Sequence, residues 1–213
     1  MITLTLTGAQ SDDFAEANRI YCPTLNGLTV AQADLAFVMP RLDHNRAVRE
    51  TPRQGDWAAL LASDPFGSEV AMFSQLYALG YRGITNWPSS ILLDGALRQS
   101  MSTIPASPEF EYAFLARAQQ AGFRTLAFFI SLAQGRGALK AGLKHLVLHP
   151  GLLEVETRES SALVLGSLQR IIDTIRTEAP DVTIYAYTSD WHERSVPLST
   201  LEVDGLVRCE ATA

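Results

Sequence analysis

Basic residues are scarce in this chain, and lysine is nearly missing. The 213 residues include 17 Lys and Arg against 23 Asp and Glu, for a formal net charge of −6. No basic patch is visible to offset phosphate charge, which argues against a nucleic-acid footprint. The only lysines, Lys140 and Lys144, precede a strand rather than end one, which argues against a Schiff-base lyase. Cysteine is equally rare. Cys22 and Cys209 form no CxxC pair, so neither a disulfide framework nor a structural zinc site is expected, and a reducing cytoplasm fits best. No apolar run approaches the roughly 20 residues that cross a bilayer. The start, MITLTLTG, lacks the basic and long apolar stretches of a signal peptide. No GxGxxG or GxxxxGK[ST] phosphate loop occurs, and Gly135-Arg136-Gly137 does not directly follow a strand.

The chain does have a cadence. Hydrophobic residues make up 47% and charged residues 19%, the balance of one globular domain, taken as residues 1–213. Eight short apolar runs recur: Ile2–Gly8, Leu35–Met39, Trp57–Ser63, Gly83–Asn86, Thr125–Ser131, His145–His149, Thr183–Ser189 and Gly205–Glu210. Most are continuously apolar, as in strands covered on both faces. Amphipathic helical patterns separate them over Glu69–Leu79, Pro108–Ala121 and Ser161–Glu178. The alternation predicts right-handed βαβ units closing into a compact (β/α)8 TIM barrel, with an open doubly wound sheet as the competing fold. The charged stretch between Met39 and Trp57 leaves room for only a minimal second helix. Three residues follow Glu210, so an eighth helix is expected to be absent. Strands eight and one would then lie bare, and a second copy of the chain is expected to cover them.

In either α/β fold, ligands bind beyond the carboxyl ends of strands, so the polar residues following each run are the candidates. Gln10, Ser11 and Asp12 follow the first; Arg41, Asp43, His44 and Asn45 follow the second. Asp64 follows the third, where a carboxylate could hold a divalent metal, act as general base or cap a helix. Asn86 and Ser89 follow the fourth, whose loop carries Asp94 and Arg98. Asn86 could orient an enolate oxygen or satisfy loop backbone. Arg98 could bind a carboxylate or pair with Asp94. Ser131 ends the fifth run, His149 the sixth and Glu210 the eighth. His149 could move a proton or bond a loop carbonyl. Ser189-Asp190-Trp191-His192 holds triad residue types, but neighbours in sequence are not a triad, and the start of a short seventh helix is expected there.

The stretch Ala62–Met101 resembles the phosphoenolpyruvate hydrolase-like TIM-barrel family, formerly called a TIM-barrel signal-transduction domain. Four motifs carry the likeness: Ser63-Asp64-Pro65-Phe66, Gly83-Ile84-Thr85-Asn86-Trp87-Pro88, Leu92 to Arg98, and Leu148-His149-Pro150-Gly151-Leu152. The register holds over roughly residues 60–181, and Ala33-Asp34-Leu35 is similar to the family's second strand. The resemblance implies a PEP-mutase-like barrel that hydrolyses or cleaves phosphoenolpyruvate, phosphonopyruvate or a related compound. It carries over Asp64, Asn86, Asp94, Arg98 and His149. Tyr185–Ser189 lacks the histidine and glycines of the family's seventh strand, and the motif near the chain end is reduced. Phosphate recognition is therefore not expected, and a smaller or uncharged substrate is.

Together these readings give an enzyme acting on a 2-oxo acid or related carbonyl compound by hydrolase- or lyase-type cleavage or its reverse. Asp64, Asn86 and His149 would be catalytic, with Asp64 holding Mg²⁺ or a water. Arg98, Asp94, Ser89, Ser131 and Glu210 would bind substrate. No organic cofactor is expected. The alternative is a non-catalytic binding or assembly protein on a degenerate barrel.

Overall fold

The structure, a computed structural model, describes residues 1–10, 17–39, 42–100, 106–153 and 157–211. The candidates Ser11, Asp12 and Arg41 lie outside the described residues. Eight parallel strands close into a barrel in sequence order. They are β1 (Ile2–Thr7), β2 (Arg19–Tyr21), β3 (Trp57–Ala59), β4 (Gly83–Thr85), β5 (Arg124–Phe129), β6 (His145–Leu148), β7 (Thr183–Thr188) and β8 (Gly205–Glu210). Closure runs from Ile2 opposite Gly205 to Thr7 opposite Glu210. Among the described residues no helix is long and apolar enough to cross a membrane.

The helices are α1 (Val30–Val38), α2 (His44–Glu50), α3 (Glu69–Leu79), α4 (Gly95–Ser100), α5 (Pro108–Gln120), α6 (Leu132–Lys140), α7 (Arg158–Glu178) and α8 (Asp190–Ser195). Local chemistry starts most of them. Side chains of Ser68, Ser107, Ser131, Thr157 and Ser189 each accept a backbone N–H in the first turn of α3, α5, α6, α7 and α8. Gly80 ends α3 at φ 97°, a left-handed conformation that costs glycine little.

One of the eight expected runs needs correction. The second strand is Arg19–Tyr21, and Leu35–Met39 belongs to the end of α1 and its cap rather than to a strand. Ala33, Ala36 and Phe37 are buried while Leu35 is 64% exposed, the one-sided spacing of a helix. Thr29 and Gln32 form a reciprocal cap at its start. The helical material before β3 is therefore α1 plus the short α2, as the charged composition of residues 40–56 suggested for the second helix.

The core has two shells. Inside the barrel lie Leu4, Leu6, Ile20, Trp57, Leu126, Phe128, Val147, Tyr187 and Val207, among others. Between barrel and helices lie Ala127, Phe129, Leu146, Leu148, Ile172 and their neighbours. Strand alternation sends Leu126 and Phe128 inward and Ala127 and Phe129 outward, so a strand with two apolar faces reads as a continuous run. In β1 the inward residues are Leu4 and Leu6, and Thr3, Thr5 and Thr7 face outward. Thr3 is exposed and Thr5 half-buried. The outer face of β1 is thus a threonine row.

Trp57 fills the inside of the barrel beside Gly83, its cross-strand partner. A Cβ at Gly83 would stand 2.2 Å from the indole Cε3. Replacing Gly83 by Ala should lower stability by about 1–3 kcal/mol, as overpacking does. Urea unfolding checks this, and adding Trp57→Leu should recover part of the loss.

Candidate active site

The carboxyl ends of β4 to β7 surround a set of buried polar side chains under α1. Asn86, directly after β4, is fully buried. Its Oδ1 accepts the Phe128 backbone N–H at 2.8 Å, tying β4 to β5. Its Nδ2 donates to Glu111 Oε2 at 2.8 Å and to Ser89 Oγ at 3.2 Å. Glu111 reaches in from the first turn of α5 and is fully buried. It also accepts from Ser89 Oγ, from Ser90 N at 2.7 Å and from Ser90 Oγ at 2.7 Å. Burial pushes the Glu111 carboxyl up, and its donors pull it part of the way back. Asn86 and Ser89 are therefore occupied in fixing the loop after β4. Glu111 sits 25 residues from Asn86 on a helix, and no local sequence pattern links the two.

His149, directly after β6, is fully buried. It stacks on Tyr187 with ring centroids 4.6 Å apart and lies 4.8 Å from the Phe37 ring of α1. The Gly151 backbone N–H donates to its Nδ1 at 3.1 Å. A ring nitrogen that accepts carries no proton, so the network assigns the neutral tautomer with hydrogen on Nε2. That Nε2 has no hydrogen-bond partner among the described residues. Burial, helped by the nearby His192, pushes His149 down to about 3.

A second imidazole completes the cluster. Ser189 caps α8 and makes a 2.8 Å contact with His192 Nδ1. His192 Nε2 faces Asp34 Oδ2 at 3.7 Å, too long for a hydrogen bond but close for electrostatics. Burial pushes His192 down to about 4 and Asp34 up to about 6. The expected helix at Ser189 is present, and it also orients His192. In the sequence Asp34 stands out only within the Ala33-Asp34-Leu35 motif, directly before the Leu35–Met39 run.

The remaining candidates lie apart from this cluster. Asp64 is half-buried and lines a cavity of about 290 Å³ with Asp43, His44, Asn45, Leu61 and Phe66 among others. Its Oδ1 accepts the Phe66 backbone N–H at 2.9 Å and its Oδ2 accepts Asn45 Nδ2 at 3.1 Å. It shapes the β3–α3 loop, while Ser68 caps α3. Asn45 also bonds both backbone groups of Leu61, and His44 bridges Thr24 and Ala59. Arg98 pairs with Glu109 at 3.0 Å rather than with Asp94, which is exposed before α4. Ser131 caps α6. Glu210 is exposed at the end of β8, opposite in direction to the inward Cys209. No described hydrogen bond joins Asp64 to Asn86 or His149.

The Mg²⁺ implied by the resemblance would need oxygen donors. Asp64 offers one carboxylate, and both its oxygens already accept protein hydrogen bonds. Among the described residues no three His, Cys, Asp or Glu side chains gather to hold a metal. The described residues do not fit a resident cation at Asp64.

Comparison with known proteins agrees with this architecture. A sequence profile described as phosphoenolpyruvate hydrolase-like matches residues 39–187. An uncharacterized protein of Sinorhizobium fredii is 27% identical over 150 residues, covering 68% of this chain and 76% of its own length. The tomato mosaic virus resistance protein Tm-1 of Solanum lycopersicum is 24% identical over 169 residues. That match covers 73% of this chain but only 22% of the tomato protein. A solved chain from Burkholderia cenocepacia, provisionally assigned as a phosphonomutase, superposes with a TM-score of 0.53 at 14% identity. That superposition covers 97% of this chain and 87% of the other, and the likeness is one of fold.

Three buried histidines make the molecule acid-sensitive. His44, His149 and His192 are pushed down to about 4, 3 and 4, while an unfolded histidine titrates near 6.5. Below pH 6.5 the unfolded chain takes up protons that the folded chain refuses. Each histidine thus removes about 1.4 kcal/mol per pH unit down to its folded value. Asp34, raised to about 6, has the opposite sign: its penalty is full above pH 6 and fades toward pH 4. Asp34→Asn should therefore raise stability at pH 7 by about 1–3 kcal/mol, with the gain vanishing near pH 4. Urea midpoints of both proteins across pH 4–8 check this.

Proposed function

Because the chain belongs to the phosphoenolpyruvate hydrolase-like family, we propose that it is an enzyme acting on a 2-oxo acid or related small carbonyl compound. The observation that carries this reading is the buried, unpartnered Nε2–H of His149 at the end of β6. A buried donor without an acceptor is costly, and a carbonyl oxygen bound there would satisfy it. His149 stays neutral at physiological pH, so it donates a hydrogen bond to charge developing on oxygen without surrendering its proton. The cleavage is of hydrolase or lyase type, in either direction, through an enolate whose oxygen His149 stabilises. The loops after β7 and β8 support a substrate without phosphate. Arg208 of β8 is paired with Asp190, and the cluster beneath α1 holds neutral imidazoles and a carboxylate.

A second reading has its own observation. Phe37 of α1 packs between Trp87 and His149, at 5.4 and 4.8 Å, and a filled mouth suits a non-catalytic binding or assembly protein. The two are separated by incubating purified protein with a panel of 2-oxo acids, with and without Mg²⁺. Turnover is expected, and His149→Gln should reduce it by about 10²–10³, the usual loss of one such donor. Unchanged turnover in that variant removes His149 from the chemistry. Binding without any product supports the second reading.

A further inference from the structure

Among the described residues, two buried carboxylates are treated in opposite ways. Glu111 accepts four hydrogen bonds, from Asn86, Ser89 and Ser90. Asp34 is 8% exposed, its Oδ1 has no hydrogen-bond partner among the described residues, and its Oδ2 faces the His192 ring nitrogen at 3.7 Å. Burying a carboxylate without hydrogen bonds costs several kcal/mol in general, and nothing in the packing of α1 calls for a carboxylate at that position. Asp34 and Phe37 lie one turn apart on the buried side of α1, and Phe37 touches His149. Asp34 also acts electrostatically on Tyr187, the ring on which His149 stacks. Asp34 beside His192 and His149 beside Tyr187 therefore flank one pair of contacting rings, Tyr187 and His192 at 5.7 Å.

We infer that Asp34 is the general base of this site and His192 its positioning residue. This rests on the proposed action on a 2-oxo acid and names the group that moves the proton. Ser189 Oγ–H donates to His192 Nδ1, which leaves the Nε2–H of His192 directed at Asp34 Oδ2, while the buried Oδ1 lacks a hydrogen-bond partner among the described residues. In the step, the C3–H bond of the 2-oxo acid breaks and its electron pair becomes the C2=C3 π bond. The carbonyl π pair becomes a lone pair on the C2 oxygen, which accepts from His149 Nε2–H. The proton goes to Asp34 Oδ1, and reversal returns it.

Pyruvate in D₂O is the probe, with loss of its methyl proton signal followed by NMR and its binding followed by calorimetry. The intact protein should bind pyruvate and exchange its C3 protons. Asp34→Asn should slow exchange at least about 10²-fold, as loss of a general base does, with the dissociation constant changed less than threefold. His192→Gln should slow exchange about tenfold at constant KM. Urea unfolding confirms that both variants fold. Exchange at the original rate in Asp34→Asn overturns the assignment, and so does a ¹⁵N spectrum showing His192 protonated on Nδ1. Pyruvate bound without exchange overturns the base alone, and absence of binding by any 2-oxo acid overturns the proposed function with it.

Discussion

Closure of the sheet between β1 and β8 is the constraint on which the rest depends. Six consecutive residues of each strand pair there, Ile2–Thr7 against Gly205–Glu210. A closed ring has no edge, and it divides every strand's side chains into an inner and an outer set. The inner set must fill a narrow cylinder, so Trp57 requires a glycine beside it at Gly83. The outer set meets helices, except along β1, where threonines stand in place of aliphatic residues. Closure also gathers the strand ends. That is why His149 after β6 and His192 after β7 share one neighbourhood beneath α1.

Polar groups in that neighbourhood follow two patterns. Around Glu111, four donors satisfy the carboxylate, and it fixes a loop. Around Asp34, His149 and His192, unpartnered polar atoms collect instead. Native proteins seldom leave buried polar atoms unpaired, so three such atoms on neighbouring side chains are a departure. A site that waits for a ligand has this character, because the ligand supplies the missing partners.

Much of the fold was legible in the sequence, for physical reasons that differ by element. Strands β3 to β8 are doubly buried, and their apolar runs stand out. Helix α3 was legible to the residue, because Gly80 stops it and its neighbours are regular. β2 was not legible: Arg19–Tyr21 is three residues long and carries no periodicity. The richer apolar run at Leu35–Met39 took its place, although Thr29 and Gln32 announced a helix. In the site, His149 was visible because it ends a strand. The engagement of Asn86 by Glu111 was not, since nothing local links a loop amide to a helix begun some twenty residues later. Asp34 and His192 meet across 158 residues, a separation over which single-sequence patterns carry no information.

Ser89 is gripped from two sides. Its hydroxyl binds Glu111 of α5, and its backbone N–H donates to the Phe37 carbonyl of α1 at 2.9 Å. The outer helix α5, the β4 loop and the inner cover α1 are thereby linked in series. A displacement of α5 on the outside of the barrel is transmitted to the helix that carries Asp34 on the inside. The periphery of this barrel can retune its interior without any exchange of the residues that line it.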